Sequence, residues 1–178
     1  MAVPAWARGL NITLSVQRRI GNTITAGGVE YPVYYGMQGD PDTLDTNSGD
    51  ELAWVQVLWL KEAAGGKGEH IMSVDVFSKT GPAGAGGDTM GITCRRIVDA
   101  FKDIFRWPNT GFEVHDYTSI GAPSATGVCL KCQNTNRAPG VPESEQTIPF
   151  DPTLNRIQLT YRFITPLDGM WGPSFATA

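Results

Sequence analysis

The chain has 178 residues, 41% hydrophobic and 18% charged, which suits one domain built on a single core of ~100 to 200 residues and excludes a second full-sized domain or a disordered polymer. Its 21 glycines and 12 prolines stay below the roughly 25 to 30% of a low-complexity chain but predict long loops. The formal charge of −4 gives no bias toward phosphate backbones, and no apolar run approaches the ~20 residues of a membrane span.

From the N-terminus, Met1 to Arg19 lacks the pattern of a secretory leader, so neither a membrane nor secretion is expected. Leu10 to Thr25 alternates like a strand at Leu10, Ile12, Leu14 and Val16, yet Leu10, Leu14, Gln17, Ile20 and Ile24 fall near helical spacing, and the helix is the preferred reading. Val29 to Gly36 reads as a short strand whose Pro32 confines it to an edge or a strand start. A turn-rich loop follows from Met37 to Asp50.

Glu51 to Lys61 is apolar on both faces of an extended chain, which predicts a central strand. His70 to Ser78 sets Met72, Val74 and Val76 on one face and Ser73 and Asp75 on the other, so an antiparallel hairpin joins the two. The glycine-rich stretch from Thr80 to Gly87 then opens a helix with Asp88 as N-cap and an apolar stripe of Met90, Cys94, Ile97, Phe101, Ile104 and Phe105. Trp107-Pro108-Asn109 ends it.

Phe112 to Tyr117, Gly127 to Asn134 and Arg156 to Ile164 complete the strands, the last with one wet face. Thr135 to Thr153 is too long and proline-rich for an ordinary connection and reads as an arm or partly ordered loop. The tail from 166 to 178 carries Trp171 and Phe175, which could anchor a neighbouring chain or pack on their own body. The order α-β-β-β-α-β-β-β predicts a single α+β domain over 1–178, with an antiparallel or mixed sheet, two helices on one face, an arm and an extended tail. Its core spans about 10–165.

No catalytic signature stands out. The loop Gly81 to Gly87 mimics a phosphate cradle, but Asp88-Thr89 puts a carboxylate where the phosphate-binding lysine would be, and a flexible connection is preferred. The dinucleotide fingerprint fails for want of a third glycine in register. Cys129 and Cys132 have zinc-ligand spacing, but no second pair comes from Cys94, His70 or His115, and on a strand they point to opposite faces. Three cysteines without secretory context argue for reduced thiols, so the triplet Asn11-Ile12-Thr13 carries little weight as a glycosylation site. Asp40, Asp42, Asp45 and Asp50 do not follow the known calcium-loop spacing and read as a solvated acidic turn. His70 and His115 lack an identifiable nucleophile, and the pairs Arg18-Arg19 and Arg95-Arg96 suit solvated helix faces or inter-subunit salt bridges. No catalytic residue, cofactor or metal is therefore expected.

The element order is more informative. An N-terminal helix, the strand around Tyr31-Pro32-Val33-Tyr34-Tyr35, the strand Trp54-Val55-Gln56-Val57-Leu58-Trp59, then Ser73-Val74-Asp75-Val76-Phe77, a glycine-rich break and the helix Cys94 to Phe101 together resemble the tail terminator proteins of long-tailed bacteriophages. The resemblance covers about Leu10 to Thr165 and is one of hydrophobicity and length. The long arm and the aromatic tail depart from it, which leaves open how this chain meets its neighbours.

The resemblance implies a virion protein of the tail and neck, assembled in the host cytoplasm. Its subunits would form a homo-oligomeric, hexameric ring that caps the tail tube protein and meets the head-completion or stopper protein. Genomic DNA would pass through the lumen without sequence-specific binding. Such a chain would not be an enzyme, and Gln133, Arg137, Trp171 and Phe175 are its candidate interface residues. Cutting the arm between Gln133 and Pro149, or removing Trp171, is expected to weaken association more than folding. Another neck component, such as a stopper, is the nearest alternative; a soluble nucleotide- or metal-dependent enzyme is the more distant one.

Overall fold

A computed structural model describes residues 9–36, 52–61, 69–80, 91–106, 112–118, 121–132, 141–151 and 154–164. The elements are α1 (Gly9–Ile20), β1 (Thr23–Ala26), β2 (Val29–Tyr35), β3 (Ala53–Lys61), β4 (Glu69–Lys79), α2 (Ile92–Arg106), β5 (Phe112–Asp116), β6 (Ser124–Cys132), β7 (Ser144–Asp151) and β8 (Leu154–Ile164). The strands form a mixed sheet in the order β1-β2-β3-β4-β8-β6-β5, with β7 also on β8. Among the described residues every pairing is antiparallel except that of β2 with β3. The α+β class is thus the observed one.

The first helix is shorter than expected. It stops at Ile20 because Gly21 turns left-handed, with φ +84°, and returns its N–H to the carbonyl of Gln17 at 2.8 Å. Thr23 to Thr25, expected as the end of that helix, instead form a strand with Ala26 that pairs with Val29 to Pro32 through a Gly27-Gly28 turn. Both turn glycines have positive φ, the backbone such a two-residue hairpin requires. Pro32 falls where β2 hands over, pairing with β1 up to that residue and with β3 from Val33 onward. It is therefore tolerated inside a strand that lies between two others, where an edge or a strand start was expected.

The β3–β4 hairpin has the expected antiparallel register, Val55 opposite Val76 and Val57 opposite Val74. β8 extends it over the whole length of β4, with Val74 opposite Leu159 and Met72 opposite Tyr161. Strand periodicity then gathers Val55, Val57, Met72, Val74, Val76, Ile157, Leu159, Tyr161 and Phe163 into one buried apolar face. Helix α2 lays Cys94, Ile97, Val98, Phe101 and Phe105 on that face, and α1 adds Ile12, Val16 and Ile20. Phe105 sits 5.1 Å from the ring of Tyr161 and 5.4 Å from that of Phe163, within the range of favourable aromatic pairing. The two helices also touch directly, since the guanidinium of Arg19 donates to the carbonyl of Ile104 at 3.1 and 3.2 Å, near the negative end of α2.

Three further expectations change. Helix α2 begins after Gly91, whose carbonyl accepts from the N–H of Arg95 at 2.9 Å; the expected cap Asp88 and the loop 81–87 lie outside the described residues. Strand β6 begins at Ser124, three residues before the expected Gly127, and carries an irregularity opposite Glu113 to His115. The expected arm, 135–153, contains strand β7, which forms a hairpin with β8. Cutting the chain up to Pro149 would therefore remove part of the sheet and cost folding as well as association. The wet face of β8 is half-buried: Arg156, Gln158, Thr160 and Arg162 are all partly covered.

Candidate functional site

The face of the sheet turned away from α1 and α2 carries rows of side chains that run across three strands, with Trp54 and Phe77 both buried. Trp54 of β3, Phe77 of β4 and Arg156 of β8 share one row. The indole stacks on the phenyl ring at 5.1 Å and 17°, and the guanidinium sits 5.5 Å from the centroid of that same Phe77 ring. In the next row Asp75, 2% exposed, accepts from Nε of Arg156 at 3.0 Å and from Nε2 of Gln158 at 3.2 Å. These charge-assisted bonds offset the cost of enclosing a carboxylate. Leu60, at the end of β3, is 62% exposed.

On the opposite side of the sheet, where α1 meets the strands, an open cleft of about 500 Å³ is lined by Leu14, Gln17, Arg18, Gly21, Asn22, Tyr35, Tyr117 and Pro123. Its shape follows from how α1 ends. The hydroxyl of Tyr35 donates to the carbonyl of Gly21 and lies 3.3 Å from that of Gln17, so a side chain of β2 caps the last turn of α1. Burial pushes this phenol far above its ordinary pKa, and it stays a donor at every physiological pH. Across the cleft the hydroxyl of Tyr117 reaches the carbonyl of Leu14 at 3.5 Å. The walls are thus two tyrosine rings, Leu14 and Pro123, and the rim carries exposed Arg18 and Asn22.

A third constellation joins α2 to β7. Glu145 receives Nζ of Lys102 at 2.6 Å and a guanidinium nitrogen of Arg95, whose other nitrogen lies 3.2 Å from Oγ1 of Thr147. Burial raises the Glu145 carboxyl, but the hydrogen bond and charge of Lys102 and those of Arg95 outweigh it and hold the group below its ordinary value. The basic residues read as solvated or inter-subunit are therefore engaged within the chain at Arg19 and Arg95.

The residues singled out for metal or catalysis do not converge. Cys132 is buried and Cys129 half-buried, as opposite faces of a strand require, and Cys94 is buried with Sγ 3.2 Å from the carbonyl of Val76. No group of metal-ligating side chains occurs among the described residues. His70 is enclosed against the edge of Trp59 at 6.5 Å, whereas His115 lies on β5 with Nδ1 3.2 Å from the carbonyl of Glu113. Asp40, Asp42, Asp45, Asp50, Gln133, Arg137, Trp171 and Phe175 lie outside the described residues. Asn11, read as an unimportant triplet, is fully buried and bonded to β5 and the residue after it. No role was expected for the tyrosines of the cleft. The one available signal was aromatic enrichment around Tyr31 to Tyr35, which strand propensity already explained.

No family model matches the chain, and no curated protein matches it.

Proposed function

We propose that this chain is a structural subunit of a phage tail terminator: a protein that closes into a hexameric ring on the end of the tail tube, stops its growth and meets the head-completion protein. The observation that supports the reading is how the sheet's margins are treated. At one margin α2 packs on β1, and at the other α1 bonds to the outer N–H groups of β5. Strand β7, by contrast, pairs only with β8 among the described residues. An uncovered strand edge is a template for another chain, and a ring of identical subunits needs repeated head-to-tail contacts of this kind. At the far end of β3 from the buried Trp54–Phe77 stack, Leu60 is 62% exposed and offers a second, apolar point of contact to the tube or the neck.

In this reading the acidic subunit stands beside genomic DNA without gripping its phosphates. The function is carried by shape and repeated contact rather than by turnover, and the working place is the virion. Negative-stain imaging of concentrated protein tests it: a six-fold annulus is expected. Particles that remain single subunits at every concentration, both alone and with tail tubes, would sink the reading. An annulus of another symmetry would move the chain to a different neck component.

A further inference from the structure

We infer that the cleft between α1, Tyr35 and Tyr117 is the receptor for the C-terminal segment 165–178 of a second copy, seated by Trp171 and held at the rim by Arg18 facing Asp168. The inference rests on the self-association proposed above and names the contact that would carry it. The cleft, at about 500 Å³, falls within the roughly 300 to 1,000 Å³ typical of sites that bury a compact ligand. Its walls are apolar and aromatic, with the two tyrosine hydroxyls turned to the carbonyls of α1 rather than into the opening. That leaves ring faces and Leu14 for an incoming aromatic side chain. The rim supplies one exposed cation, Arg18. The segment 165–178 has the matching chemistry: Trp171 and Phe175 as rigid anchors and Asp168 as its one charged side chain.

Reach favours a neighbour over the chain's own cleft. Ile164, the last described residue, pairs with Lys131 at the far end of β6, whereas Pro123 of the cleft lies just before Ser124 at the near end. A strand of that length spans roughly 25 Å, and the seven residues from Ile164 to Trp171 cover roughly 23 Å only when drawn out straight. Because donor and receptor are different surfaces, the contact repeats head to tail and can close a ring.

Two full-length variants test the contact. Trp171→Ala keeps the cleft and damages the tail; Arg18→Glu with Asn22→Asp keeps the tail and reverses the charge of the rim at two exposed positions. In sedimentation velocity each is expected to need at least tenfold more protein than the parent to associate. Mixed together, they possess one sound tail and one sound cleft per pair, and are expected to give 1:1 dimers and nothing larger. A labelled peptide of residues 165–178, titrated into the Trp171→Ala protein and followed by anisotropy, is expected to bind saturably and to lose tenfold or more on the rim variant. Absence of peptide binding overturns the inference, as does a Trp171→Ala protein that associates normally but melts earlier, because the tail would then pack on its own body. A six-fold ring indifferent to all three substitutions also overturns it while leaving the terminator reading intact. Peptide binding and paired complementation without any ring would do the reverse.

Discussion

Oδ1 of Asn11 accepts the backbone N–H of Tyr117 at 2.9 Å, and Nδ2 of the same side chain donates to Asp116 at 3.0 Å. One turn on, Oγ of Ser15 accepts the N–H of His115 at 2.8 Å and donates to the carbonyl of Asn11 at 2.6 Å. The polar stripe of α1 thus does for β5 what a neighbouring strand would do, filling the N–H groups that point away from β6.

Replacing Asn11 with Ala leaves the N–H of half-buried Tyr117 without its acceptor. The expected loss is about 2 to 3 kcal/mol, read as a lower denaturant midpoint with an unchanged slope. Ser15→Ala should cost somewhat less, and the pair should be non-additive because the two side chains share one network. Additive losses would show that the two side chains act independently rather than as one network.

The same relationship explains why part of the molecule was legible and part was not. The stripe of α2 and the apolar faces of β3 and β8 follow from periodicity, because a buried face imposes its period on every position. The end of α1 did not, since helical and strand spacing coexist from Leu10 to Thr25 and the deciding event is one left-handed glycine, Gly21. Strand β7 was hidden by composition: Ser144-Glu145-Gln146-Thr147 is polar because its residues serve Arg95 and Lys102, and Pro149 lies at the irregular end of its pairing. The cleft was illegible for another reason. Its walls come from α1, β2 and the two ends of the β5–β6 connection, and no local pattern records that Leu14 will face Tyr117.

Arg156 and Asp75 provide a second test on the opposite face. Removing the guanidinium alone, as in Arg156→Met, strands a carboxylate that is 2% exposed and leaves it, among the described residues, the amide of Gln158. The expected cost is about 2 to 3 kcal/mol. Adding Asp75→Asn should recover part of it, because the amide carries no charge to leave unpaired. A double variant less stable than the single one in thermal unfolding would refute this account of the row.

Tyr35 links the end of α1 to β2, and its substitution separates hydrogen bonding from ring packing. Tyr35→Phe keeps the cleft wall but takes the hydroxyl donor from the carbonyl of Gly21 and from that of Gln17, which still accepts the N–H of Gly21, for an expected loss of about 1 kcal/mol. The pH dependence has a definite sign. Burial raises the folded-state pKa, so the stabilisation is complete below the ordinary tyrosine value of about 10 and declines as pH rises beyond it, where only the unfolded state ionises readily. Tyr161, raised by its own burial and by Cys132, Glu145 and Asp103, adds to the same alkaline limb. Tyr35→Phe should therefore flatten the fall in stability above pH ~10 without abolishing it, and an unchanged slope would count against the cap.

Glu145 titrates at the other end of the scale. Its desolvation raises the carboxyl, but Lys102 and Arg95 overcome that and hold it low, so the ion pairs stabilise the folded chain above the ordinary glutamate value of about 4.3. That contribution disappears as pH falls through the lowered folded-state value. The side chains are partly exposed, and Arg95 more than half so. Screening limits the effect of Glu145→Gln at neutral pH to about 0.5 to 1 kcal/mol. Added salt should shrink the difference from the parent further, and once pH has fallen below the lowered folded-state value the two proteins should converge. Because the network is what draws β7 toward α2, Glu145→Gln should also raise amide exchange in Ser144 to Ile148 more than in β4. Uniform exchange across both strands would mean that pairing with β8 holds β7 without help from the helix.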